Sequence, residues 1–520
     1  MTSNHLLLHS GIEPSTKLAY RARERAVKEI LDNGFPYSRK LSAHTSCVNA
    51  LTFSSDGRWL ASAGDDPLVM LWDFHQDDLQ QPSCGFIGHK ANVFALAFSA
   101  SNHYLYSGDT DKTIYKYDVT RWSSNLTTPG RPISSYHRHR DSVRSLSSHP
   151  ANDDILLSAS EDGRILLHDS RVTSTNGAQG TLETKFELTS VQFHPVMHDL
   201  FVTGDARGDV CLKDARMAFD TSVKSKGTVQ MYCTSLSKQG VDHLYRTEIG
   251  SVTFDKNGTK LAVHMLHYLP TIYALTDPLP LATCSGRNLP DGTPVSPNQR
   301  TYANSCTIKH GSFGGPGLST DEYYSAGSDD FRGYIWKIPD LETLRLNRER
   351  VSAKQWNDAP TGDKRVGFTP QMSCARSVPV ELSTPVCRLT GHRSIVNTTL
   401  FHPQWPLIVT SGIERHILLH SPLPSSPCTE SLPLTSQAVR ELPEDNPEDR
   451  VRFIHALAYG RLDGEDEDDK ETIALFDQII RNEDEEVEAR RNLMGQVPAS
   501  DSDSESDYDQ RPWSQDDLPM

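Results

Sequence analysis

A two-strand pattern recurs down this 520-residue chain at intervals of roughly 35–45 residues. A period of that length constrains the fold more than any single motif does. One copy is Asp154–Arg171, DILLSASEDGRILLHDSR. An apolar run (Ile155, Leu156, Leu157) leads through small residues (Ser158, Ala159, Ser160) into an acidic turn, Glu161-Asp162-Gly163. A second apolar run (Ile165, Leu166, Leu167) then ends in His168-Asp169-Ser170-Arg171. Two short strands joined by a tight Asp-Gly turn satisfy that pattern.

The first copy, Ala43 to Phe74, is the most complete. His44, Ser62, Asp66 and Trp72 lie where a WD repeat places its hydrogen-bonded four, with Asp66 accepting from the His44 ring and Ser62 linked to the Trp72 indole. Buried polar groups must be paired, so these types at this spacing form a structural tetrad, not a catalytic one. The second copy runs from Gly88-His89 through Ser107 and Asp111 to Tyr117-Asp118, and the third from His139 through Ser158 and Asp162 to His168-Asp169. The fourth (Phe186 to Arg216) carries Arg207 in the acid slot and Lys213 in the aromatic slot. The fifth shows only alternation around Asn257-Gly258, the sixth has Asp330 six residues before Trp336, and the seventh has Gly391-His392 with Glu414 and His420. Seven copies predict an all-β, seven-bladed WD-repeat β-propeller over residues 40–422, a closed ring without exposed sheet edges.

Two insertions interrupt the ring, 217–245 and the Arg/Lys/Pro-rich 340–385, and both are expected to be partly mobile surface loops. The N-terminal segment, 1–39, holds a predicted helix at Ser15–Asn33, with Leu18, Ala22, Ala26 and Ile30 as its stripe and Val27 and Leu31 widening it. That helix either packs on its own ring or docks in a partner's groove. After Pro422 come a Pro/Ser linker and an acidic tail, 423–520, expected to be mostly disordered. Within it, Arg452–Leu462 is an apolar island, Glu471–Asn482 reads as a small amphipathic helix, and Ser500–Asp507 is either a solubilising run or an acidophilic kinase target.

The net charge of −16 belongs to this tail: residues 441–520 hold 25 acidic against 8 basic side chains, which leaves the rest near neutral. The body therefore lacks the field that gathers nucleic acid by bulk charge, and binding through the basic 340–385 insertion is the weaker reading. No run of about 18 apolar residues is present, so no membrane span is expected. Nine scattered cysteines without paired spacing point to reduced thiols in the nucleus or cytoplasm rather than a disulfide or zinc framework.

No catalytic constellation emerges, and no cofactor, metal or enzymatic activity is expected. Gly311–Gly317 lacks the spacing and lysine of a phosphate loop. His44, His89, His139 and His392 recur at blade starts and read as structural, and Cys211 lies mid-strand, as core residues do. The feature that rises above architecture is an arginine two residues after the terminal aspartate of two consecutive repeats: Asp169-Ser170-Arg171 and Asp214-Ala215-Arg216. Neighbouring blades would bring both to one rim. Each arginine either pairs with its own blade's acid or offers its five-donor fork to a partner, and two in succession favour docking.

In this Asp-x-Arg box the chain resembles the WD-repeat substrate receptors of cullin-4 RING ubiquitin ligases. The box is well kept at Leu156, Leu157, Ser158, Ala159, Ser160, Asp162, Ile165, Leu167, Asp169 and Arg171. It departs at His168 and Lys213, where an aromatic is expected. The stretches CVNALTFSSDGRWLASAGDD (47–66), YANSCTIKHGSF with AGSDDFRGYIWKIP (302–339), GHRSIVNTTLFHP (391–403) and TIALFDQIIRNE (472–483) extend the likeness. The resemblance implies a non-catalytic receptor that docks through Asp169, Arg171, Asp214 and Arg216 on the ligase's damaged-DNA-binding adaptor, aided by the N-terminal helix. It also implies a protein substrate, of unknown identity, on the opposite face. The rival is a scaffold in a nuclear chromatin or RNA-processing complex unrelated to ubiquitin.

Overall fold

The computed structural model describes residues 17–121, 129–172, 180–220, 222–223, 225–297, 299–358, 365–443 and 470–493. The ring and all contacts given below belong to one compact unit that ends at Ile480. Arg452–Leu462 and Ser500–Asp507 lie outside the described residues.

Among the described residues, seven sheets follow one another as blades, each built on a four-strand antiparallel meander. In blade 1 the strands are Val48–Phe53, Trp59–Gly64, Val69–Asp73 and Cys84–Phe86, from the inside outward. Inner strands of successive blades pack side by side, and blade 7 meets blade 1 again. The ring is closed by Tyr37–Ser42, which pairs antiparallel with His416–Ser421 as the outer strand of blade 7. The ring thus begins at Tyr37 rather than at residue 40. Six inner strands carry the same register shift near their start, as at Val48/Ala50 and Val143/Ser145.

Alternation puts one face of each strand against the neighbouring blade, so the core is a series of wedges. Between blades 7 and 1 the wedge holds Leu41, Val48, Leu60, Trp72, Leu407, Val409 and Ile417, all at most 1% exposed. In blade 1, His44 Nδ1 lies 2.9 Å from Asp66 and His44 Nε2 2.8 Å from Ser62 Oγ, which also accepts the Trp72 indole N–H at 2.9 Å. Blade 3 repeats this with His139, Asp162, Ser158 and His168, and blade 7 with His392, Glu414, Thr410 and His420.

Two tetrad assignments need correction. In blade 2, His89 bonds Asp109 at 2.6 Å, not Asp111: the carboxylate two residues after Ser107 is buried and reaches the ring. In blade 6, Asp330 bonds Arg332 and the Tyr334 hydroxyl, while Trp336 donates to the Ser285 carbonyl. Its neighbour Asp329 takes the buried Lys309 ammonium at 2.6 Å, which replaces the missing histidine.

In their described residues the insertions form regular structure. They join in an eighth, five-stranded sheet outside the ring: Leu236–Lys238 pairs with Leu244–Tyr245 and, across 130 residues of chain, with Val366–Phe368. Arg376–Val378 and Glu349–Val351 complete it, and Val380–Leu382 adds a parallel fifth strand to blade 5. Leu236 and Phe368 are buried in the same apolar cluster as blades 4 and 5.

The flanking segments also pack. The N-terminal helix, Lys17–Asp32, buries Val27 and Leu31 against Leu318, Tyr323, Ile335 and Phe401 of blades 6 and 7, while Ala22 is exposed. Ala26 and Ile30 of the expected stripe are half-buried, and the fully buried positions are the two residues that widen it. Asp32 holds it there, accepting from the Tyr323 hydroxyl and the Lys337 ammonium at 2.7 Å each. In the described parts of the tail, 423–443 lies on the ring, and a helix spans Lys470–Leu493. Among the described residues, no helix is long and apolar enough to cross a membrane.

Candidate functional site

The meander gives the ring two unlike faces. Inner strands start, and third strands begin, on one; third strands end on the other. Arg171 and Arg216 follow third strands Arg164–Asp169 and Val210–Asp214, so both emerge on the second face, from adjacent blades.

Their surroundings are the same in both blades. Asp169 accepts the backbone N–H of Arg171 at 2.9 Å, its Nε at 3.0 Å and its Nη2 at 2.6 Å. Asp214 does the same for Arg216 at 2.9, 3.0 and 2.6 Å. The aspartate turns the chain and grips the side chain at once, which sets the spacing of two residues. A second acid of the same blade stands near each guanidinium: Asp154 at 4.0 Å from Arg171 and Asp199 at 3.7 Å from Arg216. Side-chain bonding from the arginines outweighs the opposing cost of burial and leaves both aspartate carboxyls below the ordinary range.

Of the two readings open from sequence, pairing within the blade is what the structure holds. It does not bury the arginines: their side chains remain 59% and 70% exposed. One edge of each fork is fixed on its aspartate and the other faces outward, so the contact orients the group. Lys116 of blade 2 stiffens the region, stacking over Tyr104 and donating to Ser170 Oγ at 3.3 Å.

Sequence reasoning missed a third member. In blade 2, Arg121 pairs with the strand-terminal Asp118 at 2.9 Å and is 80% exposed. Its spacing of three residues, not two, hid it. Three consecutive blades thus carry an acid-anchored arginine at the same strand end, and the N-terminal helix packs on this face at blade 6.

The opposite face holds the central mouth. A cavity of about 330 Å³ is lined by residues of all seven blades, among them Asn49, Phe94, Arg144, Thr189, Gly250 and Asn397. Arg144 lies over the Phe94 ring and 3.4 Å from Glu161. Burial, with Arg144 and Lys309 nearby, pushes His310 at its wall down to about 4. His392, Glu414 and His416 come close enough to suggest a cation site, but both His392 nitrogens are engaged in the blade 7 tetrad.

The closed ring of meanders and its His–Ser/Thr–acid networks make this chain a WD-repeat β-propeller protein. The family model for the WD domain, G-beta repeat, matches residues 35–73, 80–118 and 130–169. The chain is similar to DDB1- and CUL4-associated factor 5 of Mus musculus and of Homo sapiens, at 28% identity over 465 residues in both. The match covers 86% of this chain but only 40% and 41% of those proteins. Among solved structures, the β-propeller domain of Cps50 (Swd1) from Myceliophteria thermophila aligns with a TM-score of 0.48 and 16% identity, over 74% of this chain and 99% of that one.

Proposed function

We propose that this chain is a non-catalytic substrate receptor that docks on the DDB1 adaptor of a cullin-4 RING ubiquitin ligase and presents a bound protein for ubiquitination. The observation that carries the reading is the duplicated clamp: Asp169–Arg171 and Asp214–Arg216, identical in geometry on adjacent blades and exposed outward. A guanidinium already held on one edge loses little rotamer freedom when its free donors meet carbonyls or carboxylates of a partner. The similarity to DDB1- and CUL4-associated factor 5 supports the choice of that partner.

Docking uses the arginine face, with Arg121 at its edge and the N-terminal helix extending it. A stable contact of this kind buries roughly 1,200–2,000 Å². Docking there leaves the opposite, mouth face to the substrate, and the bond-forming chemistry belongs to the ligase's other subunits. Co-purification tests this directly: the chain carrying Arg171→Glu and Arg216→Glu should fold and lose DDB1, and undiminished recovery would overturn the docking role.

A further inference from the structure

The mouth face already holds a ligand supplied by the chain itself. The first part of the C-terminal helix, up to Ile480, lies on blades 6, 7 and 1. Ile480 and Phe476 pack with Cys47 and Ile395, which precede inner strands, and with Phe331 and Ile413, in the turns before third strands. Ile473 is buried one turn earlier. Beside them, Arg440 grips Asp477 with two parallel bonds, Nη1 to Oδ2 at 2.8 Å and Nη2 to Oδ1 at 2.6 Å, while its Nε donates to the Arg393 carbonyl at 2.7 Å. The Phe331 ring backs this guanidinium at 4.9 Å. Phe476 reaches the wall of the 330 Å³ cavity but leaves it unfilled.

From this arrangement we infer that the mouth face is a recognition groove for an amphipathic helix with the pattern Ile-x-x-Phe-Asp-x-x-Ile, and that residues 473–480 occupy it as a self-ligand that an incoming helix must displace. Three apolar anchors at helical spacing and one bidentate ion pair are the means by which grooves read helices in trans. The ion pair fixes register and polarity, because only one orientation brings the carboxylate to Arg440. The cavity beyond Phe476 leaves room for a bulkier side chain than the self-ligand's. Naming the displacing partner a substrate rests on the receptor reading above; the groove does not depend on it.

The test uses the full chain, as wild type and as an opened variant, Ile473→Asp with Ile480→Asp. The probe is a fluorescein-labelled alanine/lysine/glutamate helix carrying only the Ile, Phe, Asp and Ile at this spacing. The opened variant should bind it at least 10-fold more tightly than wild type. Arg440→Glu in the opened variant should remove that binding, and a probe with Arg in place of its Asp should restore it. Saturating probe should also raise hydrogen exchange at 473–480 in the wild type, a readout that needs no variant. Absence of probe binding by a folded opened variant, or unchanged protection of 473–480 at saturation, would show a permanent structural element and overturn the inference. Co-purification of the same proteins with DDB1 reads the receptor proposal separately, since the arginine face is untouched.

Discussion

The Nε2 atom of His168 lies 2.8 Å from Ser158 Oγ, in the place that the Trp72 indole nitrogen takes 2.9 Å from Ser62 Oγ. An indole can only donate, so the network of blade 1 has one direction: Trp72 to Ser62, Ser62 to His44, His44 to Asp66. His168 and His420 reproduce it as Nε2–H tautomers, assigned from the same pattern, and each leaves a buried Nδ1 without a hydrogen-bond partner.

Acid should therefore unfold this ring earlier than carboxylate protonation alone would. Burial, helped by the neighbouring tetrad histidine, pushes His168 and His420 down to about 3. Unfolded, both return to about 6.5, so the unfolded chain binds more protons below that pH and stability falls as pH drops from about 6.5 toward 3. His264, held near 3 by its burial, acts in the same direction. Urea midpoints should decline steadily from pH 7 to pH 5, with proton uptake on unfolding at pH 5. Midpoints that stay flat over that interval would contradict neutral buried imidazoles.

The seam between blades 7 and 1 also carries a latch between His402 and Gly57. His402 of blade 7 approaches the Gly57 carbonyl of blade 1 at 2.8 Å, and a Cβ at Gly57 would stand 2.5 Å from its ring. Gly57 also sits at φ +71°, where side chains are disfavoured. The Gly57→Ala protein should lose about 2–4 kcal/mol. Gly85→Ala in the same blade, where an added Cβ meets nothing within 4 Å, should stay within about 0.5 kcal/mol. Chemical denaturation compares the two. His194 and Gly258 repeat the latch between blades 4 and 5 at 3.0 Å.

Arg376 holds the accessory sheet together. It is fully buried, and its Nη1 donates to the carbonyls of Met372 and Cys374 at 2.6 Å each. Its Nε reaches Ser237 in the other insertion at 3.3 Å. Arg376→Met strands these acceptors at a cost of about 2–4 kcal/mol, felt locally. Limited proteolysis should then cut within 340–385 while the blades remain intact; a cleavage pattern like that of the wild type would show that the sheet stands without it.

Blades with complete tetrads were legible because hydrogen bonding demands residue types at set spacings, and even the substitutions His168, His420 and Glu414 kept the needed donors and acceptors. Asp109 misled because a buried acid two residues early serves as well as the expected one. The accessory sheet was hidden for another reason: its strands are two or three residues long and pair across 130 residues, too short for any periodicity. The helix around Glu471–Asn482 was readable as amphipathic, but its seat was not, since Arg440 and Phe331 come from distant segments. The clamp residues Arg171 and Arg216 were visible in sequence; Arg121 was not, because its turn is one residue longer.

The arginine face carries the central claim, and its affinity for DDB1 tests it most directly. Purified wild-type chain and the Arg171→Glu, Arg216→Glu protein would be titrated against DDB1 by calorimetry at fixed salt, after their melting temperatures are matched. The account predicts a loss of about 100-fold or more, the scale expected when two hydrogen-bonded interfacial charges are reversed. Affinities equal within about twofold, with both proteins folded, would contradict it.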